Sequence, residues 1–365
     1  MPTQPVDSTP HALAAWGWSA DLQAAFGPLA ERGLAPARVT QQHRERYVVV
    51  DADGEKFAVV SGRFRHEAGR DADFPAVGDW VALNAGATDD LATIDAILPR
   101  RSAFARAAAL TLAEQVVAAN VDVVFVVTSL NRDFNLRRLE RYVATAWESG
   151  ARPVVILSKA DLAEDLGGSL LAAEAAAPGV PVIAVSVVTG LGLEEVRALI
   201  GYGQTVALVG SSGVGKSTLI NALAGHELMA TAGIREDDAR GRHTTSVRHL
   251  FRLDEGLVLD TPGLREIGLL NEDGLAGSFT DVLDLAGQCR FSDCAHRTEP
   301  GCAVRSALAD GRLDRGHLAA YEKLVREARY VERKTDVFAR EAERRQWRNI
   351  SRHVGARMKA KYGEL

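Results

Sequence analysis

One short segment in the second half of the chain constrains the fold more than any other feature. It follows the apolar run Thr205–Val209 and precedes a stretch with helical spacing, Thr218–Ala224. Its glycines let the backbone curl so that several N–H groups point at one anion, and the helix start adds positive potential. A plain glycine-rich turn would not need this strand and helix, so we predict a P-loop α/β domain. The loop residues are Gly210-Ser211-Ser212-Gly213-Val214-Gly215-Lys216-Ser217-Thr218.

This loop and a later segment predict where the phosphates of a nucleotide and Mg²⁺ are held. Lys216 is expected to reach the β- and γ-phosphates, and Ser217 is expected to hold Mg²⁺. The later segment, Asp260-Thr261-Pro262-Gly263, follows the apolar run Gly256–Leu259. There Asp260 can face Mg²⁺ through a water molecule, and the Gly263 N–H can meet the γ-phosphate. The same four residues could form a plain turn, but their position downstream of a phosphate loop favours the nucleotide site.

Two further segments predict that the base is guanine. Ser158-Lys159-Ala160-Asp161 closes the apolar run Pro153–Leu157. The Asp161 carboxylate can accept two hydrogen bonds from guanine N1 and N2, which adenine cannot offer, and Lys159 can lie along the base plane. Ser186-Val187-Val188-Thr189-Gly190 follows the next apolar run and could offer backbone N–H groups to guanine O6. Both segments end predicted parallel strands, where ligands of such sheets bind.

The patterns on either side of these motifs indicate more than one domain. Short alternating runs between Arg38 and Ser102, including Phe57–Phe64, predict a small β-barrel. From Ala107 to Glu272, unbroken apolar runs such as Val121–Thr128 suit strands buried on both faces of a doubly wound sheet. Helical spacing returns at Leu313–Arg329, after a segment that carries the cysteines. We therefore predict a barrel, an α/β domain and a helical module in that order.

The cysteines predict a metal site. All three lie within 14 residues, and their number is odd, which argues against a disulfide framework. Three thiolates and one imidazole form a closed tetrahedral set for one zinc ion. Three buried cysteines beside an unrelated histidine would be the alternative, but the segment has little apolar core of its own. The predicted ligands are Cys289, Cys294, His296 and Cys302.

Charge and hydropathy indicate which partners and which location are compatible with the chain. The net charge of −5 hides a basic C-terminal end, with 15 Lys/Arg against 8 Asp/Glu from Arg312 onward. Such an end suggests a surface that meets phosphate, although a solvated helix would look the same. No apolar run is long enough to cross a bilayer, and Met1–Thr9 lacks the features of a secretion signal. We expect a cytoplasmic monomer without a membrane partner.

The order of the motifs is permuted: the guanine segments precede the phosphate loop, which precedes Asp260–Gly263. The chain resembles the family of ribosome small-subunit-dependent GTPase A, which is circularly permuted in this way. The resemblance covers roughly residues 36–365. Besides the phosphate loop and the cysteine spacing, it is carried by Phe74-Pro75-Ala76-Val77-Gly78-Asp79-Trp80-Val81 and Gly241-Arg242-His243-Thr244-Thr245.

The resemblance implies a domain plan and a function. It implies binding of GTP and GDP with Mg²⁺, one Zn²⁺ per chain, and binding to the maturing small ribosomal subunit and its rRNA. Other assembly factors are further candidate partners. It also implies that the subunit stimulates GTP hydrolysis and that hydrolysis releases the protein. The expected parts are an N-terminal extension at 1–35, an OB-fold barrel at 36–102, a permuted P-loop GTPase domain at 103–275, and an α-helical zinc-binding module with a basic tail at 276–365.

Two positions depart from the usual GTPase pattern. Ser158 stands where Asn is usual, and we expect it to lose a contact to the base or to the phosphate loop, which would weaken nucleotide binding. Leu264 stands where Ras-like GTPases place the glutamine that orients the attacking water, so intrinsic turnover should be slow. His243 is the nearest candidate for the catalytic group, although it could instead contact phosphate or RNA. Thr245 is expected to complete the Mg²⁺ shell.

Two other function classes stay open from the sequence. The protein could be chiefly an RNA-binding assembly scaffold whose nucleotide site only gates association. An RNA face on the barrel would have to be local, because residues 38–102 hold 9 Lys/Arg against 11 Asp/Glu. Arg63, Phe64 and Arg65 are candidates for it, although Phe64 could equally be a core residue. An ATP-using P-loop enzyme such as a kinase is disfavoured by Asp161 and by the lack of a second carboxylate cluster.

Overall fold

The fold was obtained as a computed structural model, which describes residues 9–43, 46–84, 91–107, 114–131, 134–229, 248–260 and 273–331. Two short helices precede the barrel: α1 (Thr9–Ala14) and α2 (Ala20–Ala30). The Ser19 side chain accepts a hydrogen bond from the Leu22 N–H and so caps α2. Trp18 packs edge-on against Trp80 of the barrel, with ring centroids 4.8 Å apart. The N-terminal helices therefore share an apolar core with the barrel.

Five strands form a closed barrel in the order β1-β2-β3-β5-β4, and β4 pairs back onto β1. All pairs are antiparallel except β3 with β5, which is parallel. Five strands closed in this order form an OB-fold barrel, as predicted. Val39, Val49, Val81 and Ile94 are fully buried in its interior. The strands are β1 (Ala35–Gln42), β2 (Tyr47–Val50), β3 (Glu55–Val60), β4 (Trp80–Asn84) and β5 (Leu91–Ile97).

The expectation of a single run at Phe57–Phe64 is wrong at its end. Strand β3 stops at Val60, and helix α3 (Gly62–Glu67) follows. Ser61 causes the change, because its hydroxyl accepts the Phe64 N–H at 3.1 Å and caps the helix. Phe64 packs on Phe74 at the edge of the barrel core. Phe64 is thus half-buried against the barrel core, which favours the core role over the RNA role.

A six-stranded sheet in the order β10-β9-β8-β11-β13-β12 forms the centre of the molecule. Its strands run parallel except β12, which lies antiparallel to β13 and also meets β1 through the pair Gln41 and His249. The predicted parallel strands are thereby confirmed, with ends shifted by one or two residues. The strands are β8 (Val123–Ser129), β9 (Arg152–Ser158), β10 (Val182–Val185), β11 (Thr205–Val209), β12 (His249–Arg252) and β13 (Leu257–Asp260).

Helices cover both faces of this sheet, as a doubly wound fold requires. Along β8, Val124 and Val126 face one apolar cluster, while Phe125 and Val127 face the other. Helices α4 (Leu136–Glu148) and α5 (Leu166–Ala176) cover the first face, and α6 (Leu193–Ala198) and α7 (Lys216–Ala224) cover the second. A hairpin not predicted from the sequence, β6 (Ala103–Ala107) and β7 (Glu114–Ala119), joins the barrel to this domain.

The C-terminal module is helical and packs on α4. It contains α8 (Asp273–Ser278), α9 (Thr280–Gly287), α10 (Ala303–Ala309) and α11, whose described part spans residues 315–331. Phe279, Val282 and Val304 are fully buried in its core together with Ala144 of α4. Gly274 and Gly277 allow this close approach, since a Cβ on Gly274 would lie 2.2 Å from the Ala144 carbonyl oxygen. Within the described ranges, we found no helix with the length and apolar character of a membrane span.

Candidate nucleotide site and metal centre

The phosphate loop follows strand β11, all five residues of which are buried. Gly210 has φ +149°, and a Cβ there would lie 2.2 Å from the Val127 carbonyl oxygen of β8. Gly215 has φ +95° and begins helix α7. The Lys216 ammonium donates to the carbonyl oxygens of Gly210 at 2.8 Å and Ser211 at 2.6 Å. The loop therefore curls around its own lysine, which places a cation among the backbone groups of the loop.

The segment that ends β9 contacts this loop directly. The Ser158 hydroxyl lies 2.6 Å from the Val214 carbonyl oxygen, to which it donates, and 3.2 Å from that of Thr128. Lys159 has φ +57°, and its ammonium donates to the Gly213 carbonyl oxygen at 2.7 Å. Serine at position 158 thus keeps a contact to the phosphate loop, so the expected loss applies at most to the base.

Asp161 and Ser186 lie together beside this pair. Strands β9 and β10 run parallel in register, with Val185 opposite Ser158, so the residues that follow them emerge at one edge. The buried Ser186 hydroxyl donates to an Asp161 carboxylate oxygen at 2.5 Å and accepts the Thr189 N–H at 3.2 Å. This contact orients the exposed Asp161 carboxylate, and its second oxygen accepts no hydrogen bond from the part of the chain that the structure describes.

Strand β13 brings Asp260 to the same edge as the phosphate loop. Its parallel pairing with β11 places Leu259 opposite Ala207, and the half-buried Asp260 is the next residue. The structure therefore gathers four predicted segments at the carboxyl edge of one sheet, where ligands of α/β folds bind. The predicted residues Gly263, His243 and Thr245, and also Leu264, lie outside the described residues.

A buried arginine that sequence reasoning missed links the barrel to this sheet. Arg38 of β1 is 1% exposed and donates to the Gly78 and Asn120 carbonyl oxygens, both at 3.2 Å, and to the Thr205 hydroxyl at 2.7 Å. Burial lowers the pKa of Arg38 to about 10, an effect that nearby Asp122 opposes. The signal of this role in the sequence is an arginine flanked by Ala37 and Val39 in strand β1.

The four predicted metal ligands meet in one cluster, with ligand atoms all within 4.8 Å of one another. The Cys289 and Cys302 sulfurs are 3.8 Å apart, and His296 Nδ1 lies 3.6 Å and 3.5 Å from them. A tetrahedron with zinc–sulfur bonds of about 2.3 Å has edges of about 3.8 Å. The cluster therefore fits one zinc ion, which three sulfurs and Nδ1 of the histidine would hold.

The turn that carries His296 is organised by a carboxylate that sequence reasoning also missed. Glu299 lies between the histidine and Cys302, and its side chain accepts backbone N–H groups on both sides of His296. The N–H groups of Glu299 itself, Thr298 and Ala295 lower the pKa of Glu299 to about 2. An acidic residue between two metal ligands was the available signal in the sequence.

An ionic cluster around the buried residues Glu140 and His317 links the C-terminal module to α4. His317 of α11 contacts Glu140 of α4 through Nδ1 at 2.8 Å and Asp281 of α9 through Nε2 at 3.2 Å. Arg137 lies 2.5 Å from the same Glu140 oxygen and 2.6 Å from Asp314. Burial lowers the pKa of His317, but the bonds to Asp281 and Glu140 outweigh it and raise the pKa to about 9. The imidazole is therefore cationic at neutral pH.

These features define a class: a P-loop nucleotide-binding protein in which the guanine segments precede the phosphate loop, with an OB-fold barrel before it and a Cys₃His module after it. The profile of the RsgA GTPase family matches residues 97–270. The structure is similar to that of YjeQ from Thermotoga maritima, with a TM-score of 0.62 and 26% identity over 81% of this chain and 98% of that chain. It also shares the fold of YloQ, described as a circularly permuted GTPase, with a TM-score of 0.59 and 22% identity over 81% of this chain and 95% of that chain.

Relatives of similar length establish the family. Small ribosomal subunit biogenesis GTPase RsgA 2 from Lactiplantibacillus plantarum is 50% identical over 82% of this chain and 85% of its own length. Small ribosomal subunit biogenesis GTPase RsgA from Streptomyces coelicolor is 43% identical over 98% of both chains. The chain belongs to the RsgA GTPase family. Membership implies a guanine nucleotide and Mg²⁺ as ligands.

Proposed function

We propose that this protein is a GTPase that acts in maturation of the small ribosomal subunit, binding the subunit in its GTP state and leaving after subunit-stimulated hydrolysis. The names of its relatives support the subunit as partner. The observation that carries the nucleotide assignment is the contact of Ser158 and Lys159 with the phosphate loop. Because these contacts join the base-recognition segment to the phosphate-binding segment, one ligand with a guanine and a phosphate chain can occupy both.

We assign the phosphate chain to the loop Gly210–Thr218. A nucleotide would draw the Lys216 ammonium from the carbonyl oxygens of Gly210 and Ser211 to its β- and γ-phosphates. Ser217 and Asp260 are oxygen donors suited to Mg²⁺, which on binding neutralises charge on the phosphate oxygens. In the same assignment, backbone N–H groups of the loop and of Gly263 hold the terminal phosphate.

We assign guanine selectivity to Asp161. Its second carboxylate oxygen, together with the first, can accept from guanine N1 and N2, while the Ser186 hydroxyl fixes the plane of the carboxylate. Adenine would leave this carboxylate facing an acceptor, which costs binding free energy. The stem of Lys159 would lie along the base, since its ammonium is anchored on the Gly213 carbonyl oxygen.

For the chemical step we propose His243 as the group that orients the attacking water, with Thr245 completing the Mg²⁺ shell. The argument is chemical: Leu264 cannot hydrogen-bond to water, and His243 lies between the phosphate loop and Asp260 in the chain. Docking on the subunit would bring His243 into place. Completing a GTPase site in this way is worth on the order of 10³–10⁵ in rate.

We further propose one zinc ion per chain at Cys289, Cys294, His296 and Cys302. Its role is structural, because all four positions are filled by protein ligands and none remains for substrate. Removal of the zinc should loosen the C-terminal module and leave the nucleotide site in place.

The test is the rate of phosphate release from GTP by the full chain alone and with added small subunits, large subunits or free rRNA. We expect stimulation by small subunits only. His243→Ala should retain GTP and subunit binding and lose most of the stimulated rate, while the control His226→Ala, at an exposed histidine, should not. Stimulated hydrolysis at the wild-type rate in His243→Ala would place the catalytic group elsewhere. Nucleotide-dependent subunit binding without any stimulation would favour the scaffold function.

A further inference from the structure

The backbone around His296 is held by a single carboxylate. Glu299 Oε1 accepts the Ala295 N–H at 3.0 Å, and Oε2 accepts the N–H groups of Arg297 and Thr298 at 2.8 Å and 2.9 Å. Both oxygens are thus engaged with main-chain donors from the turn. Glu299 itself is not among the four residues whose ligand atoms converge. Its carboxylate acts on the turn and not on the metal position.

These bonds fix a backbone conformation that histidine rarely adopts. His296 has φ +59°, in the left-handed region, which is unfavourable for a residue with a Cβ unless its surroundings hold it there. The Arg297 N–H belongs to the peptide unit that directly follows His296, so its bond to Glu299 restrains ψ of the histidine. The Ala295 bond anchors the chain on the other side. Together they set the direction in which the imidazole leaves the backbone.

In this direction the imidazole of His296 reaches the position where it could bind a metal ion together with the cysteines. His296 Nδ1 lies 3.6 Å from the Cys289 sulfur and 3.5 Å from the Cys302 sulfur, close to the edge lengths of a zinc tetrahedron. Holding a ligand in its bound orientation before the ion arrives lowers the conformational entropy lost on binding. Groups that orient metal ligands in this way matter for metal affinity although they never touch the ion.

We propose that Glu299 is a positioning residue that pre-organises His296 for zinc binding. The inference rests on the proposed zinc site and adds a determinant of its affinity. Glu299→Gln is the sharpest change, because it keeps the size of the side chain but replaces one acceptor oxygen by an NH₂ group. The NH₂ group cannot accept hydrogen bonds from the N–H groups of the turn, and its own hydrogens would repel theirs. We expect zinc affinity to fall by about 10- to 100-fold, the usual range for such outer groups.

Loss of negative charge near a cation could weaken binding by itself, so a matched control is needed. Asp293 precedes the ligand Cys294 and is exposed, and its carboxylate has no hydrogen-bond or ion-pair partner in the described part of the chain. Asp293→Asn therefore removes the same charge from the same module without touching the turn. We expect its zinc affinity to stay within about twofold of wild type, as for a screened surface charge.

The experiment measures zinc affinity of the full chain by competition with a chromophoric chelator, for wild type, Glu299→Gln and Asp293→Asn. Hydrogen exchange of the 295, 297 and 298 amides in metal-free protein is a second readout, and Glu299→Gln should accelerate it. Equal zinc affinities of wild type and Glu299→Gln would overturn the inference, and so would an equal loss in both variants. A wild type without zinc affinity would instead overturn the zinc site itself. Slow exchange in the metal-free variant would show that the turn is organised without Glu299.

Discussion

The buried contact between α4 and the C-terminal module yields the sharpest stability prediction. His317 donates to Glu140, which is fully buried, and to Asp281, whose side chain is 39% exposed. Among the described residues, the second Glu140 oxygen has no hydrogen-bond partner. His317→Gln removes the cation and leaves the Glu140 carboxylate with Arg137 as its charged neighbour. We expect the variant to weaken docking of the module on α4.

Two estimates of the docking free energy lost in His317→Gln are similar. The rise of the His317 pKa from 6.5 to about 9 corresponds to about 3 kcal/mol, and screening at the partly exposed Asp281 reduces this to about 2 kcal/mol. Removing one partner of a buried ion pair costs about 3–5 kcal/mol, and the remaining Arg137 keeps the value at the low end. We therefore expect His317→Gln to reduce the free energy of docking by about 2–3 kcal/mol. This raises the equilibrium constant for opening of the module by about 30- to 140-fold.

The pH dependence has a definite sign. Because the pKa of His317 is higher in the folded protein than its ordinary value of 6.5, its stabilisation is fully present below pH 6.5. It is lost as pH rises through about 9. Docking of the module in wild type should therefore weaken between neutral pH and about pH 10, whereas His317→Gln should lack this transition.

The assay is hydrogen exchange of the amides in α9 and α11, corrected for the intrinsic dependence of exchange on pH. His317→Gln should exchange about 30- to 140-fold faster than wild type at pH 7. His226→Gln, at an exposed histidine beyond α7, is the matched control and should match wild type. Exchange in His317→Gln at the wild-type rate would refute the reasoning, since the buried Glu140 would then tolerate loss of its partner at no cost.

Three further predictions concern the nucleotide and the partner. Asp161→Asn should lower the affinity for GTP by at least about tenfold and raise that for xanthosine nucleotides, measured by titration of fluorescent analogues. Equal affinities of wild type for ATP and GTP would remove the basis for this prediction. Ser158→Ala removes the hydrogen bond to the phosphate loop and should lower the affinity for GDP about fivefold in the same titration. An unchanged affinity would show that this hydrogen bond is dispensable. Reversal of Arg344, Arg345 and Arg348 to Glu should weaken subunit binding and flatten its salt dependence without altering nucleotide affinity, whereas unchanged subunit binding would assign the tail to a solvated helix.

Local spacing was enough to predict the segments that the structure brings together. A phosphate loop, a guanine segment and a Cys₃His cluster are each defined within a few residues, because a curled loop or a closed metal turn is made by near neighbours in the chain. The parallel strands before these segments could be predicted from unbroken apolar runs. The end of β3 was misjudged, although Ser61 carries a local capping signal that could have placed it.

Contacts between distant parts of the chain could not be predicted in this way. Three such contacts are the closure of β4 onto β1, the link from Arg38 to Thr205 and the pairing of Glu140 with His317. Each joins residues far apart in the chain, and no local sequence pattern predicts it. Glutamate is a common helix residue, and only the packing of α11 on α4 makes this one a buried anion that needs a cation. The sequence by itself predicted which segments would form the candidate nucleotide site and the candidate metal site, since each segment is recognisable from its local spacing. The tertiary structure alone decided how the barrel and the C-terminal module are fixed to the nucleotide domain, because burial and pairing of charges depend on which surfaces come together.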